Sequence, residues 1–62
     1  MKIETDSRKI IMVLKAAGFE EVSKRGSHLK LRKGGRTVIV PHPKKDLPFG
    51  TARNIYEQAA LI

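Results

Sequence analysis

Two glycine-bearing dipeptides, Gly26-Ser27 and Gly34-Gly35, bracket a stretch in which leucine alternates with polar and charged residues. Glycine and serine suit turn geometry that bulkier residues resist, and Gly34-Gly35 suits a two-residue hairpin turn requiring positive φ. Between them Leu29 and Leu31 alternate with His28, Lys30 and Arg32, which is the period of two of a β-strand. A strand over Ser27–Lys33 that turns at both ends belongs to a meander. The first strand is expected over Phe19–Arg25 and the third over Arg36–Val40, which is β-branched apart from Arg36. Phe19 and Val22 fall on opposite parities, so one of them lies before the regular part of the first strand. If both leucines face a core, His28, Lys30 and Arg32 share the outward face.

Helical periodicity flanks the meander. Ile10, Leu14 and Ala17, widened by Ile11, form an apolar stripe behind the N-cap candidates Thr5, Asp6 and Ser7, and Gly18 is a natural stop. A helix is expected over about residues 6–17. Pro41, Pro43 and Pro48 fix φ and remove donors, so residues 41–48 read as a stiff, extended connector. A second helix is expected from Gly50 or Thr51, with Ala52, Ile55, Ala59 and Ile62 on its apolar face and Arg53, Glu57 and Gln58 towards solvent. The pattern predicts one α+β domain over residues 1–62 in the order α-β-β-β-α. Its three-stranded antiparallel sheet carries both helices on one face and leaves a basic face open.

Charge narrows the function classes. The chain has 62 residues and a formal net charge of +7, and it contains no cysteine. The absence of cysteine removes a disulfide framework or thiolate metal site and fits a cytoplasmic protein. No apolar run approaches the roughly 20 residues of a membrane span, and the N-terminal stretch lacks the hydrophobic region of a signal peptide. A domain this short buries only about 60% of its unfolded surface, so a stabilising partner is plausible. From Val22 to Lys45 the chain carries Lys24, Arg25, Lys30, Arg32, Lys33, Arg36, Lys44 and Lys45 and no acid. Such a one-signed block is a footprint for a polyanion, nucleic acid first. An anionic membrane fits less well because neither helix is basic along one face. An acidic protein partner fits and does not exclude nucleic acid.

His28 read from pattern alone is a polar surface residue that follows the strand alternation. Its functional reading is a general base beside cations that hold phosphate, a combination suited to a ribose 2′-hydroxyl and so to RNA rather than DNA. Attack by that hydroxyl gives a cyclic phosphate and a free 5′-hydroxyl, with no metal required. Lys24, Arg25, Lys30 and Arg32 are the candidate phosphate contacts, with Gly26 and Ser27 forming the turn that presents the imidazole. Lys44 and Lys45 extend the basic surface. His42, between two prolines, has a well-defined backbone and reads either as a second acid/base or phosphate contact or as an exposed loop residue. The two histidines, with no cysteine and one nearby acid, do not match metal-ligand spacing, so neither a metal nor a cofactor is expected. Phe19, Phe49 and Tyr56 are the only aromatics, too few for a base-stacking platform.

The combined motifs are more specific than any one of them. Gly26-Ser27-His28 before a basic strand, then Val40-Pro41-His42-Pro43, Leu47-Pro48-x-Gly50-Thr51 and Ile55-x-x-Gln58-Ala59, resemble the HicA toxins of bacterial and archaeal toxin–antitoxin systems. The likeness covers nearly the whole chain in the family's order. It implies a double-stranded-RNA-binding-domain-like fold and a type II toxin that is a ribosome-independent mRNA interferase. It further implies catalysis by the Gly-Ser-His histidine, here His28, and a HicB antitoxin that masks the site. Two departures stand out. Leu29, Lys30 and Leu31 follow the motif where family members often carry a second histidine and an aromatic. The family's Gln-Ala-Gly-Leu is Gln58-Ala59-Ala60-Leu61. The resulting expectation is an endoribonuclease centred on His28; the alternative is a non-catalytic RNA-binding module using the same face.

Overall fold

The two-residue turns set the register of the whole sheet. In the computed structural model, which describes residues 1–62, the elements are α1 (Ser7–Ala16), β1 (Glu20–Arg25), β2 (His28–Lys33), β3 (Arg36–Pro41) and α2 (Phe49–Gln58). Both turns place glycine first, in the left-handed region, with φ 59° at Gly26 and 58° at Gly34. Arg25 consequently pairs with His28 and Lys33 with Arg36, giving an antiparallel sheet of order β1-β2-β3. The expected α+β architecture is present. No helix is long and apolar enough to cross a membrane.

Alternation sends Leu29 and Leu31 of β2 and Val38 and Val40 of β3 to one face. Ile10, Ile11 and Leu14 of α1 and Ala52, Ile55 and Tyr56 of α2 cover them. Phe19, Leu47 and Ala59 complete a core of 13 buried residues. Leu31, fully buried at the centre of the middle strand, is worth about 2–5 kcal/mol against alanine. β1 differs: all its residues are exposed, because it lies at the sheet edge beyond the cover of the helices. A β-bulge at Val22, between Glu21 paired with Leu31 and Ser23 paired with Lys30, accounts for its parity conflict with Phe19.

The helix ends explain the remaining boundaries. Asp6 caps α1, its carboxylate accepting from Arg8 N–H at 3.0 Å. At the other end Phe19 N–H reaches Leu14 O at 2.9 Å and Gly18 N–H reaches Lys15 O at 3.0 Å, with Gly18 at φ 103°. This Schellman stop packs Phe19 against the core and removes it from β1. α2 begins at Phe49, one residue before the expected Gly50, because Pro48 occupies the N-cap and its carbonyl accepts from Ala52 N–H. Its end repeats the α1 motif, Leu61 to Tyr56 O at 2.9 Å and Ala60 to Glu57 O at 3.0 Å, but with Ala60 at φ 58° where glycine would be unstrained. The left-handed residue turns the chain out of the helix, so Ile62 is 48% exposed and does not join the apolar face. Tyr56 takes that place, buried, with its hydroxyl accepting from Glu4 N–H at 3.0 Å.

Cations of the β2–β3 hairpin serve both helix C-termini. Lys33 Nζ donates to Ala17 O at 2.6 Å and an Arg36 guanidinium nitrogen to Gln58 O at 2.9 Å. Free helix-end carbonyls and the negative end of the helix dipole favour both contacts.

Two stability experiments follow from the helix termini. Ala60→Gly is expected to stabilise the protein by about 0.5–1 kcal/mol, read as a higher urea midpoint, because it relieves the left-handed strain net of glycine's chain entropy. Hydrogen bonds from Arg8 to Asp6 and from Lys15 to Glu21 hold both carboxyls below their ordinary range. A folded-state value below the unfolded one stabilises above the unfolded pKa and is lost as pH falls through the folded one. Stability is therefore expected to decline as pH falls below about 4, with a shallower decline in Asp6→Asn.

Candidate nucleic-acid interface

The polar side of β2 looks away from both helices. Its register places Arg25 of β1 opposite His28, Ser23 opposite Lys30 and Glu20 opposite Arg32. On the other side Pro41, Ile39 and Thr37 of β3 face the same three residues. Ser23, Arg25, His28, Lys30 and Ile39 line one depression on this open face. His28 is exposed at the start of β2, immediately after the turn. The turn is anchored, since Ser27 O accepts the His42 N–H at 2.7 Å. Arg32 lies further along the same face, across from Glu20, the one acid that the register adds there.

Lys24 falls on the opposite face. It pairs with Leu29, so its side chain shares the helix-bearing face rather than that of Lys30 and Arg32. There it lines a second cleft with Arg8, Ile11, Glu21, Leu29 and His42. His42 follows Pro41 and comes to that face by the same alternation. Lys44 and Lys45 sit at the α1 N-terminus, around a shallow site that also includes Asp6, Arg8 and Pro43. The structure thus brings Arg25, His28 and Lys30 together, with Arg32 in line, and separates Lys24, Lys44 and Lys45 from them.

Intramolecular contacts sort the cations. Arg8, Lys15 and Arg53 are ion-paired with Asp6, Glu21 and Glu57. Lys33 and Arg36 are committed to helix carbonyls. Lys24, Arg25, Lys30, Arg32, Lys44 and Lys45 make no side-chain hydrogen bond or ion pair. Every cation read as a phosphate contact is therefore free, whereas two neighbours in the same basic block hold the fold together.

Ser7 is the residue that sequence reading placed only as a helix-capping candidate. It is fully buried, and its hydroxyl oxygen lies 2.8 Å from His42 Nδ1 and accepts the Lys44 N–H at 2.8 Å. Its own N–H donates to Lys44 O at 2.8 Å, and Leu47 N–H donates to Thr5 O at 2.8 Å. The proline-rich connector is thereby laced to the start of α1. The His42–Pro43 peptide within it is cis. No local sequence signal reveals this lacing, because the partners are 35 and 37 residues apart. No three His, Asp or Glu side chains converge as a metal-ligand set.

Comparison with known proteins agrees with the motif order. Residues 7–61 match the family model described as the HicA toxin of bacterial toxin–antitoxin systems. No curated protein matches the chain.

Ser7→Ala is expected to cost about 1–3 kcal/mol, measured by urea denaturation, because it strips the Lys44 N–H and His42 Nδ1 of their partner. An unchanged midpoint would mean that the connector holds without the hydroxyl.

Proposed function

The chain belongs to the HicA toxin family of bacterial toxin–antitoxin systems, and from that premise we propose that it is an endoribonuclease, an mRNA interferase, with His28 as general acid/base. Membership makes it a toxin whose partner is an antitoxin. The finer reading rests on one observation: His28 stands exposed in a depression with Arg25 and Lys30, whose charges no protein group neutralises.

The chemistry that these groups can perform is transesterification. His28 takes the proton of a ribose 2′-hydroxyl as its oxygen attacks the adjacent phosphorus. The P–O5′ bond breaks, leaving a 2′,3′-cyclic phosphate, and the departing 5′-oxygen acquires a proton from the imidazolium or water. Arg25 and Lys30 stabilise the charge that builds on the non-bridging oxygens, where fixed donors act most strongly. Arg32 extends the phosphate track, and Ser27 helps set the turn that presents the imidazole. Lys44 and Lys45 add to the long-range attraction for RNA. This scheme uses a base and fixed cations and needs neither metal nor cofactor. A HicB-type antitoxin would inhibit by covering the open basic face, and a cytoplasmic location would give access to mRNA.

Cleavage of a purified single-stranded RNA in the presence of EDTA tests the proposal. The wild-type protein is expected to cut and leave 5′-hydroxyl ends, and His28→Ala is expected to bind without cutting. Binding by both without cleavage would replace the nuclease with an RNA-binding module on the same face. Replacing Lys30 and Arg32 is expected to weaken RNA affinity and flatten its salt dependence in either case.

A further inference from the structure

The His28 face leaves one set of polar side chains without a task. On the helix-bearing face, beside β1, the second cleft has a floor formed by the buried Ile11 and Leu29 and a rim of Arg8, Glu21, Lys24 and His42. Glu21 is ion-paired with Lys15, and Arg8 gives part of its guanidinium to Asp6. Lys24 has no partner. The charge left to the cleft is therefore positive despite its carboxylate.

His42 is anchored through both its backbone and its ring. Prolines flank it, its N–H is bonded to Ser27 O at 2.7 Å, and its Nδ1 lies 2.8 Å from Ser7 Oγ. A serine–histidine contact of this length resembles an activated nucleophile. Ser7 cannot act as one, because it is fully buried and its oxygen already accepts the Lys44 N–H. The contact instead orients the ring. Ser7 has no other acceptor for its hydroxyl hydrogen, so that hydrogen goes to Nδ1, and the proton of the neutral imidazole resides on Nε2. Here Nε2 makes no hydrogen bond within the protein, and His42 shares the cleft with the unpaired Lys24.

We propose that Lys24 and the Nε2–H of His42 form a second phosphate-binding site, so that one RNA strand crosses the tip of the β1–β2 hairpin and is gripped on both faces. The tip joins the two sites directly. His28 pairs with Pro41, and the Ser27–His42 bond sets the second histidine one residue further along, on the other side of the sheet. Gly26, at the turn between them, leaves open space, since a Cβ built there meets nothing within 4 Å. Ser7 is the positioning residue of this second site. The RNA part of the proposal rests on the function proposed above; the phosphate site does not.

The test is a side-chain NMR titration, first with inorganic phosphate and then with an RNA oligonucleotide made uncleavable by 2′-deoxy substitution, on wild-type and His28→Ala protein. Saturable shifts at His42 and Lys24 are expected with both ligands and in both proteins. Lys24→Ala should lower the slope of log affinity against log salt by about 0.7, the value for one phosphate contact on a single strand, whereas His42→Gln, which removes no charge, should weaken affinity and leave the slope unchanged. Both should act on KM more than on kcat. Lys24 is exposed, so its variant keeps the test open even if His42→Gln unfolds. Shifts confined to His28, Arg25 and Lys30, or an unchanged salt slope in Lys24→Ala, would overturn the second site while leaving the nuclease in place. Shifts at His42 and Lys24 without any RNA cleavage would keep the site and remove the nuclease.

Discussion

The middle strand must serve two layers at once, and the rest of the molecule is arranged around that demand. β2 pairs along both edges, so its backbone is committed, and only the alternation of its side chains is left to divide labour. Leu29 and Leu31 go to the helices and are nearly or fully buried, while His28, Lys30 and Arg32 go to the open face. A slip of one residue would exchange the two sets, burying three polar groups and exposing the core of a domain with little stability to spare. The short glycine turns prevent that slip. Core formation and presentation of His28 are one event in this fold.

Positive charge is distributed with the same economy. Lys33 and Arg36, at the far hairpin, neutralise the carbonyl ends of both helices, and three other cations meet carboxylates. Of the unpaired ones, Lys24, Arg25, Lys30 and Arg32 lie on the β1–β2 hairpin and Lys44 and Lys45 in the connector. A fold this small cannot bury ion pairs without a desolvation cost that it could not offset, so its cations stay at the surface, either pinned or free. The free ones make the one-signed surface, and their self-repulsion is a cost that a bound anionic partner would relieve.

Much of this was legible in the residues. The meander, both turns, the four sheet residues of the core and the outward set of His28, Lys30 and Arg32 follow from alternation and glycine placement. The opposite facing of Lys24 was also within reach, since a two-residue turn after Arg25 pairs Lys24 with Leu29 whatever else the chain does. Other features were not legible. Tyr56 replaces Ile62 in the core because Ala60 ends α2 in a left-handed conformation that alanine sequences do not advertise. The bulge at Val22 depends on competition between the α1 stop, which claims Phe19, and the register dictated by the turn.

The sequence by itself determined the order of elements, the faces on which the residues of β2 and β3 lie and the family to which the chain belongs. Those properties depend on local backbone preference and on periodicity, which neighbouring residues suffice to specify. Only the tertiary structure decided which cations are free, where the connector is anchored, and that Ser7 reaches across the chain to orient His42. Such contacts join segments more than thirty residues apart and exist only after the core has brought the start of α1 against the end of β3. Hydrogen-bond partners at that separation are chosen by packing, and packing is not written in any one stretch of the chain.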